Sequence, residues 1–323
     1  MRAWLHYNGD LVLKDQKVAV VTGSSTGIGF ETCLLFARSG IRTYATMRDI
    51  TKAHLINDIS EKEKLPLKVI RMDVDKDDSV VEAFKQIRED EYGRRISIDI
   101  LVNNAGFGLF GALEDQSIED IKRQFETNLF GAIRTTQQVL PIMRDQRGGI
   151  IVNISSLAGY VGFPASSVYN STKFALEGLS ESLAYEVEPY GISVILIEPG
   201  VINTNFAKNI IIPSNTQPIS SYLLSSLSSY FHSTSTPVST KYAYVVERFL
   251  SHYYPAMRNA PEPREVAKVI LESIEASSVS VRQGNNNNFH RYPIGDDAKL
   301  YADVKRKMSY SELHSFVAKR ILS

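Results

Sequence analysis

The feature that most constrains the fold is a series of short, continuously apolar runs alternating with amphipathic segments. The runs are KVAVVTG, IRTYATM, LKVIRMDV, IDILVNNAG, GIIVNISS and ISVILIEPG. Most are rich in β-branched residues and lack in–out alternation, the pattern of strands buried on both faces. Between them lie helical patterns such as FETCLLFARSG, with Gly40 as a C-terminal stop. Regular β-α-β alternation predicts a parallel sheet covered by helices on both sides. Near the C-terminus, QGNNNNFHRYPIG reads as a polar loop followed by a short strand, which brings the sheet to about seven strands. The fold class is therefore α/β, one doubly wound domain.

Composition excludes several function classes. Lysine plus arginine and aspartate plus glutamate number 36 each, so no overall field draws the chain to nucleic acid or an anionic membrane. Cys33 is the single cysteine, which rules out an internal disulfide, and within CLLFA it reads as a small core residue. The six histidines are scattered without metal-ligand spacing, so no metal is expected. The start, MRAWLHYNGDLVLKDQK, lacks the apolar core and cleavage site of a signal peptide. No run approaches the ~20 apolar residues of a membrane helix. A soluble, cytoplasmic protein is the expectation.

The 323 residues divide by pattern into a cofactor-binding and catalytic core (17–204), a cover insertion (205–261) and a C-terminal helix, strand and tail (262–323). The insertion contains the Ser/Thr-rich stretch IPSNTQPISSYLLSSLSSYFHSTSTPVST, whose composition suits a linker. Yet Ile219, Tyr222, Leu223, Leu227, Tyr230 and Phe231 recur at helical spacing, and Val245, Val246, Phe249, Leu250 and Tyr253 form a second stripe. These predict short helices forming a mobile cover over a substrate. The tail, SELHSFVAKRIL, reads as a surface or subunit-contact helix.

The first strand runs into Thr22-Gly23-Ser24-Ser25-Thr26-Gly27-Ile28-Gly29. A strand, a glycine-rich turn and a helix together suit a pyrophosphate, because glycine bares the backbone and the helix N-terminus attracts negative charge. The spacing is G-x-x-x-G-x-G rather than G-x-G-x-x-G. At the end of the second strand, Arg48 favours the 2′-phosphate of NADP(H), helped by the hydroxyls of Ser24, Ser25 and Thr26. The adjacent Asp49 keeps NAD(H) open.

Three further segments carry reactive groups. Asn128 lies in FETNLFGAIRTTQQVL, Ser156 follows the strand GIIVNIS, and YNSTK places Tyr169 and Lys173 one helical turn apart. The strand bearing Ser156 and the helix bearing Tyr169 are consecutive, so their ends meet at the carboxyl edge of the sheet, where open α/β sheets bind ligands. Alone, a Tyr-x-x-x-Lys is an ordinary helix surface, a serine caps a turn, and an asparagine is a satisfied buried amide.

Together, TGSSTGIG, NNAG, the helix asparagine, the serine, YNSTK and PGVINT resemble the short-chain dehydrogenase/reductase family over roughly residues 17–206. ATMRD and VYNSTKFALEGLSESLA further resemble its hydroxysteroid and retinol dehydrogenase branch. The resemblance implies a Rossmann fold with Tyr169 as acid/base and Lys173 holding the nicotinamide ribose and lowering the phenol pKa. It implies that Ser156 bonds the substrate oxygen and Asn128 positions a relay water. Asp73 and Val74 would contact the adenine, and Asn104, Ala105 and Gly106 would line the coenzyme. Pro199, Gly200, Val201 and Thr204 would hold its nicotinamide end. It also implies a homodimer or homotetramer, formed through the helices containing Asn128 and Tyr169.

Leu109, Phe110, Phe163 and Phe206 near the motifs suggest a mostly apolar pocket, and no arginine cluster marks a carboxylate or phosphate site. The expected function is NADP(H)-dependent interconversion of a carbonyl and an alcohol of an apolar small molecule. The alternatives are a steroid, retinoid or lipid alcohol dehydrogenase on the same scaffold, and a non-catalytic NADPH-sensing regulator. Loss of the tyrosine or lysine would favour the last, and both are present.

Overall fold

A computed structural model describes residues 4–7, 10–13, 16–91, 97–206, 210–212, 241–282 and 288–323, with 4–7, 10–13 and 279–282 as backbone alone. The apolar runs form β3 (Val18–Val21), β4 (Arg42–Met47), β5 (Leu67–Arg71), β6 (Ile100–Asn103), β7 (Gly149–Ile154) and β8 (Ile192–Pro199), and β9 (Phe289–Ile294) completes the set. They make one seven-stranded sheet in the order β5-β4-β3-β6-β7-β8-β9, every pair parallel. The chain runs outward from β3 to β5, returns to β6, and runs outward the other way. The carboxyl ends of β3 and β6 therefore flank the topological switch point.

Two strands stand outside the expectations. β1 (Trp4–Tyr7) and β2 (Asp10–Leu13) pair antiparallel, apart from the sheet. Their signal in the sequence is Asn8-Gly9 between two apolar segments.

Helices α1 (Gly27–Arg38), α2 (His54–Glu63), α3 (Asp77–Asp90), α4 (Ile118–Phe125), α5 (Gly131–Asp145) and α6 (Ser167–Val187) follow the predicted alternation. α1 stops just before Gly40, whose φ of +81° suits the left-handed end of a helix. Successive residues of β3 alternate between two cores. Ala19 and Val21 pack with Leu34 and Phe36 of α1, while Val18 and Val20 pack with Phe84 of α3, Val139 of α5 and Leu183 of α6. A strand with helices on both faces has no polar side, which is why these runs do not alternate.

The C-terminal third adds α7 (Ala243–Arg258), α8 (Pro263–Arg282), α9 (Asp296–Lys307) and α10 (Tyr310–Leu322). α8 joins α1 on one face, through Val266 and Ile270. α7, α9 and α10 build a third apolar cluster with Phe110, Leu157 and Tyr160. The stripe predicted at 245–253 is α7, which buries Val246, Phe249 and Leu250. The stripe predicted from Ile219 to Phe231 lies outside the described residues. α10 is a surface helix that buries one stripe, Leu313, Val317 and Ile321, against its own chain. The apolar face of α5 is likewise spent inside the subunit, on Ala132, Val139 and Met143.

Candidate active site

The glycine turn after β3 is locked to the segment after β6. Gly23 and Gly27 have φ of +67° and +62°, and a Cβ on Gly23 would come within 2.8 Å of Ala105 Cα. Thr22 Oγ1 accepts from the N–H groups of Asn104 and Ala105, both at 3.0 Å. Asn104 Nδ2 donates to the carbonyls of Thr22 and Gly23 at 2.9 and 3.1 Å. The side chain of Asn104 thus braces the turn as well as lining the cavity described below.

The helix that follows is open at its start. Thr26 makes no side-chain cap, and the first turn of α1 holds no acid. Its amides and positive dipole end suit a pyrophosphate, so the residues present fit a dinucleotide. Ser24 differs from expectation. Its hydroxyl donates to Val21 O at 2.8 Å and accepts from Cys33 Sγ, so it belongs to the core, and only Ser25 and Thr26 have hydroxyls to offer.

At the end of β4, Arg48 is exposed and makes no hydrogen bond or ion pair among the described residues. Asp49 accepts from Thr51 N and Thr51 Oγ1 at 3.1 and 2.6 Å, bonds that hold its pKa below the usual carboxylate value. It caps the short turn Ile50–Ala53. After β5, Asp73 receives Asp75 N–H at 3.3 Å, and Val74 is buried close to Gly131.

The reactive groups gather at the ends of β7 and β8. Ser156 Oγ accepts from Ala158 N at 3.1 Å and donates to Pro199 O at 3.3 Å, which pins the hydroxyl between two loops. Tyr169 and Lys173 share one face of α6, with Lys173 Nζ 5.9 Å from the tyrosine ring centroid. The buried ammonium donates to Ile154 O at 2.8 Å. Asn128 stands behind this wall, in a π-helical turn, Glu126–Phe130, between α4 and α5. Its amide exchanges two bonds with the backbone of Phe107 and donates to Thr172 Oγ1, so the side chain is fully engaged.

These groups open on a cavity of about 330 Å³. Ser156, Tyr169 and Lys173 line it together with Ile28, Asn104, Gly106, Pro199, Gly200, Val201 and Thr204. Phe110, Phe163, Phe206, Phe249, Tyr253 and Tyr301 supply an aromatic wall. Leu109, expected there, is instead fully buried. Thr22, Gly23, Ser25, Thr26, Gly27, Gly29 and Ala105 belong to the glycine turn or its neighbour rather than to this wall. Arg48, Asp73 and Val74 lie beyond it, at the ends of β4 and β5.

Among the polar lining residues that escape sequence reasoning are His252, Asp297 and Arg320. Asp297 receives Val201 N–H at 2.8 Å, and a Cβ on Gly200 would collide with it. This carboxylate therefore braces the PGVINT loop from α9. Its only sequence signal is the Gly-Asp-Asp start of that helix.

Electrostatics departs from one expectation. Burial pushes the Tyr169 phenol up to about 12, with Ser156 pulling it back, rather than the lysine bringing it near 7. Burial also lowers Lys173 to about 8, opposed by Glu177. A dry site disfavours both charged forms, and this outweighs a cation 5.9 Å from the ring centroid. Tyr169 is then a protonated phenol at neutral pH, a proton donor facing an apolar space. Among the described residues no cluster suits a metal ion, and no helix is long and apolar enough to cross a membrane.

Comparison with known proteins identifies the family and the fold. Residues 17–213 match the family model for short chain dehydrogenase. The chain is 33% identical to an uncharacterized oxidoreductase, YusZ, of Bacillus subtilis, over 96% of this chain and 100% of that protein. It is 33% identical to retinol dehydrogenase 8 of Bos taurus, over 84% and 82% of the two chains. Among solved structures, a short-chain dehydrogenase from Streptomyces avermitilis superposes with a TM-score of 0.73 at 26% identity, covering 94% of this chain and 96% of that one.

Proposed function

The chain belongs to the short-chain dehydrogenase family, and from that premise we propose that it is an NADP(H)-dependent oxidoreductase interconverting a carbonyl and an alcohol of a mostly apolar small molecule. The observation that carries this reading is the convergence of Ser156, Tyr169 and Lys173 on one aromatic-walled cavity beside the glycine turn. When bound, the nicotinamide coenzyme supplies or accepts the hydride.

The chain's own residues handle the oxygen. Tyr169, protonated at neutral pH, donates to a carbonyl oxygen during reduction and takes the proton back in oxidation. Ser156, with its orientation set by Ala158 and Pro199, offers the same oxygen a hydrogen bond as charge develops. Lys173 holds coenzyme hydroxyls and, while charged, favours the phenolate that proton donation leaves behind. With the Asn128 amide engaged elsewhere, a relay water would be held by the backbone of the π turn, where the helical bonding ladder is interrupted.

Preference for NADP(H) rests on Arg48 and Asp49. Oδ1 of the aspartate already caps the turn at Thr51, while the arginine, exposed just after β4, makes no bond of its own among the described residues. Arg48→Ala should weaken NADPH binding by at least tenfold and leave NADH little changed, as read by quenching of protein fluorescence.

The aromatic wall and the similarity to a retinol dehydrogenase support a second, narrower reading, a retinoid, steroid or other lipid alcohol as substrate. A panel of hydrophobic and charged carbonyls and alcohols, assayed with both coenzymes, tests class and cofactor together. Tyr169→Phe should abolish nearly all turnover while NADPH still binds; unchanged turnover would remove Tyr169 from its role. A dimer or tetramer belongs to the same proposal, since Phe130 and Tyr185, beside and on the helices in question, are exposed. Light scattering on the purified protein reads the state.

A further inference from the structure

Behind Lys173 lies a buried acidic pair that the reaction described above does not use. Glu177 stands one turn after Lys173 on α6, and Glu198 lies near the end of β8; they are 5% and 3% exposed. Arg291 of β9 bridges them, its Nη1 at 2.6 Å from Glu177 Oε2 and 3.1 Å from Glu198 Oε1. The other oxygen of Glu177 is packed beside Ser155 and Gly159, where a Cβ on the glycine would meet Ser155 Oγ at 2.6 Å and Glu177 Oε1 at 3.0 Å. This corner has no room to spare.

Two buried carboxyls beside one guanidinium do not both ionise readily. Burial raises both carboxyls, Glu198 to about 7 with Glu177 adding to the effect, and Arg291, whose shorter contact is to Glu177, opposes the rise there. Burial draws Lys173 toward the neutral amine, and Glu177 is the charge that opposes it.

We propose that Glu177, one helical turn from Lys173 on the buried face of α6 and clamped by Arg291 beside Glu198, is a positioning residue for the active site: its carboxylate favours the ammonium form of Lys173, whose Nζ is held by Ile154 O. The proposal rests on reading Lys173 as part of the reactive wall. Tyr169 and Glu181 on α6, Arg291 on β9, Asp297 and Lys305 on α9, and Tyr160 after β7 complete the titratable surroundings. Arg291 and Lys305 are cations and cannot replace the carboxylate. Asp297 is tied to Val201 and Ala298, and Tyr160 is raised far above neutrality.

The test reads Lys173 directly, by NMR titration of lysines labelled at Cε, with its resonance identified by its loss in Lys173→Arg. In Glu177→Gln the midpoint should fall by about one unit, a tenfold loss of proton affinity. Glu198→Gln should move it by a much smaller amount. The high-pH limb of carbonyl reduction should shift down with the midpoint in Glu177→Gln, with kcat near pH 6 largely retained. An unshifted Lys173 in folded Glu177→Gln overturns the proposal. Should that variant fail to fold, Glu177→Asp decides, with a smaller downward shift supporting the idea and none overturning it. A shifted midpoint in a protein that reduces no carbonyl would sink the proposed reaction and leave this inference standing.

Discussion

Replacing Gly29 with alanine sets two measurable effects against each other. Gly29 is the third residue of α1, and alanine in a helix is favoured over glycine by about 1 kcal/mol. The structure opposes this gain. A Cβ there would lie 2.5 Å from Asn104 Nδ2 and 2.6 Å from Gly23 O. The asparagine would have to withdraw from both carbonyls it now holds. Losing two such bonds, and leaving their partners partly unsatisfied, costs roughly 2–4 kcal/mol. The net is a destabilisation of about 2 kcal/mol, or a melting point lower by roughly 4 °C. Because the damage lies in the turn itself, NADPH affinity should fall about tenfold or more. Gly178, on α6 with open space around its Cα, is the control, and its alanine variant should gain stability. Calorimetry and fluorescence titration of both variants supply the readings. A Gly29→Ala protein that melts no lower than the parent and binds NADPH equally well would refute the packing argument.

Three other perturbations follow from the geometry. Asp297→Asn weakens the bond from Val201 N–H, a charge-assisted contact worth about 1–2 kcal/mol, and should loosen NADPH binding several-fold in the same titration. Phe249→Ala removes a ring packed on Phe110 at 5.1 Å and Tyr253 at 5.9 Å. It should cost about 3–4 kcal/mol in guanidinium unfolding and raise KM for hydrophobic substrates more than it lowers kcat. Lys173 makes stability depend on pH. Its folded pKa of about 8 lies below the unfolded value near 10.4, so between these the unfolded chain binds more protons and stability rises with pH. Tyr169 is protonated in both states up to about pH 9, and the ionisation of the unfolded phenol toward pH 10 opposes the rise only slightly. From pH 7.5 to 9.5 the parent should gain about 2 kcal/mol relative to Lys173→Met, and equal slopes would contradict the burial of the ammonium.

Much of the fold was legible because its signals are local. Continuous apolar runs such as VAVV and ILVN mark strands that face helices on both sides, and Gly40 ends α1 where its φ is positive. The candidate site was legible through spacing, since four residues on α6 place Tyr169 and Lys173 on one face. Other features were hidden because they depend on distant partners. Ser24 looked like a ligand-facing hydroxyl until the backbone turned it onto Val21 O. Asp297 sits almost a hundred residues beyond the loop it braces. The packing of the tail helix was hidden because the partners of Leu313, Val317 and Ile321 lie on α7 and near β7.

The amino-acid order alone determined the parallel sheet, the glycine turn and the pairing of Tyr169 with Lys173 on one helix face, since each depends on periodicity or on neighbours within one element. Tertiary structure alone decided the protonation states. Whether Tyr169 and Lys173 carry charge depends on how much water and which carboxylates surround them, and Glu198 and Arg291 come to that corner from other strands. Desolvation and Coulomb energy act through space, so no spacing along the chain records them.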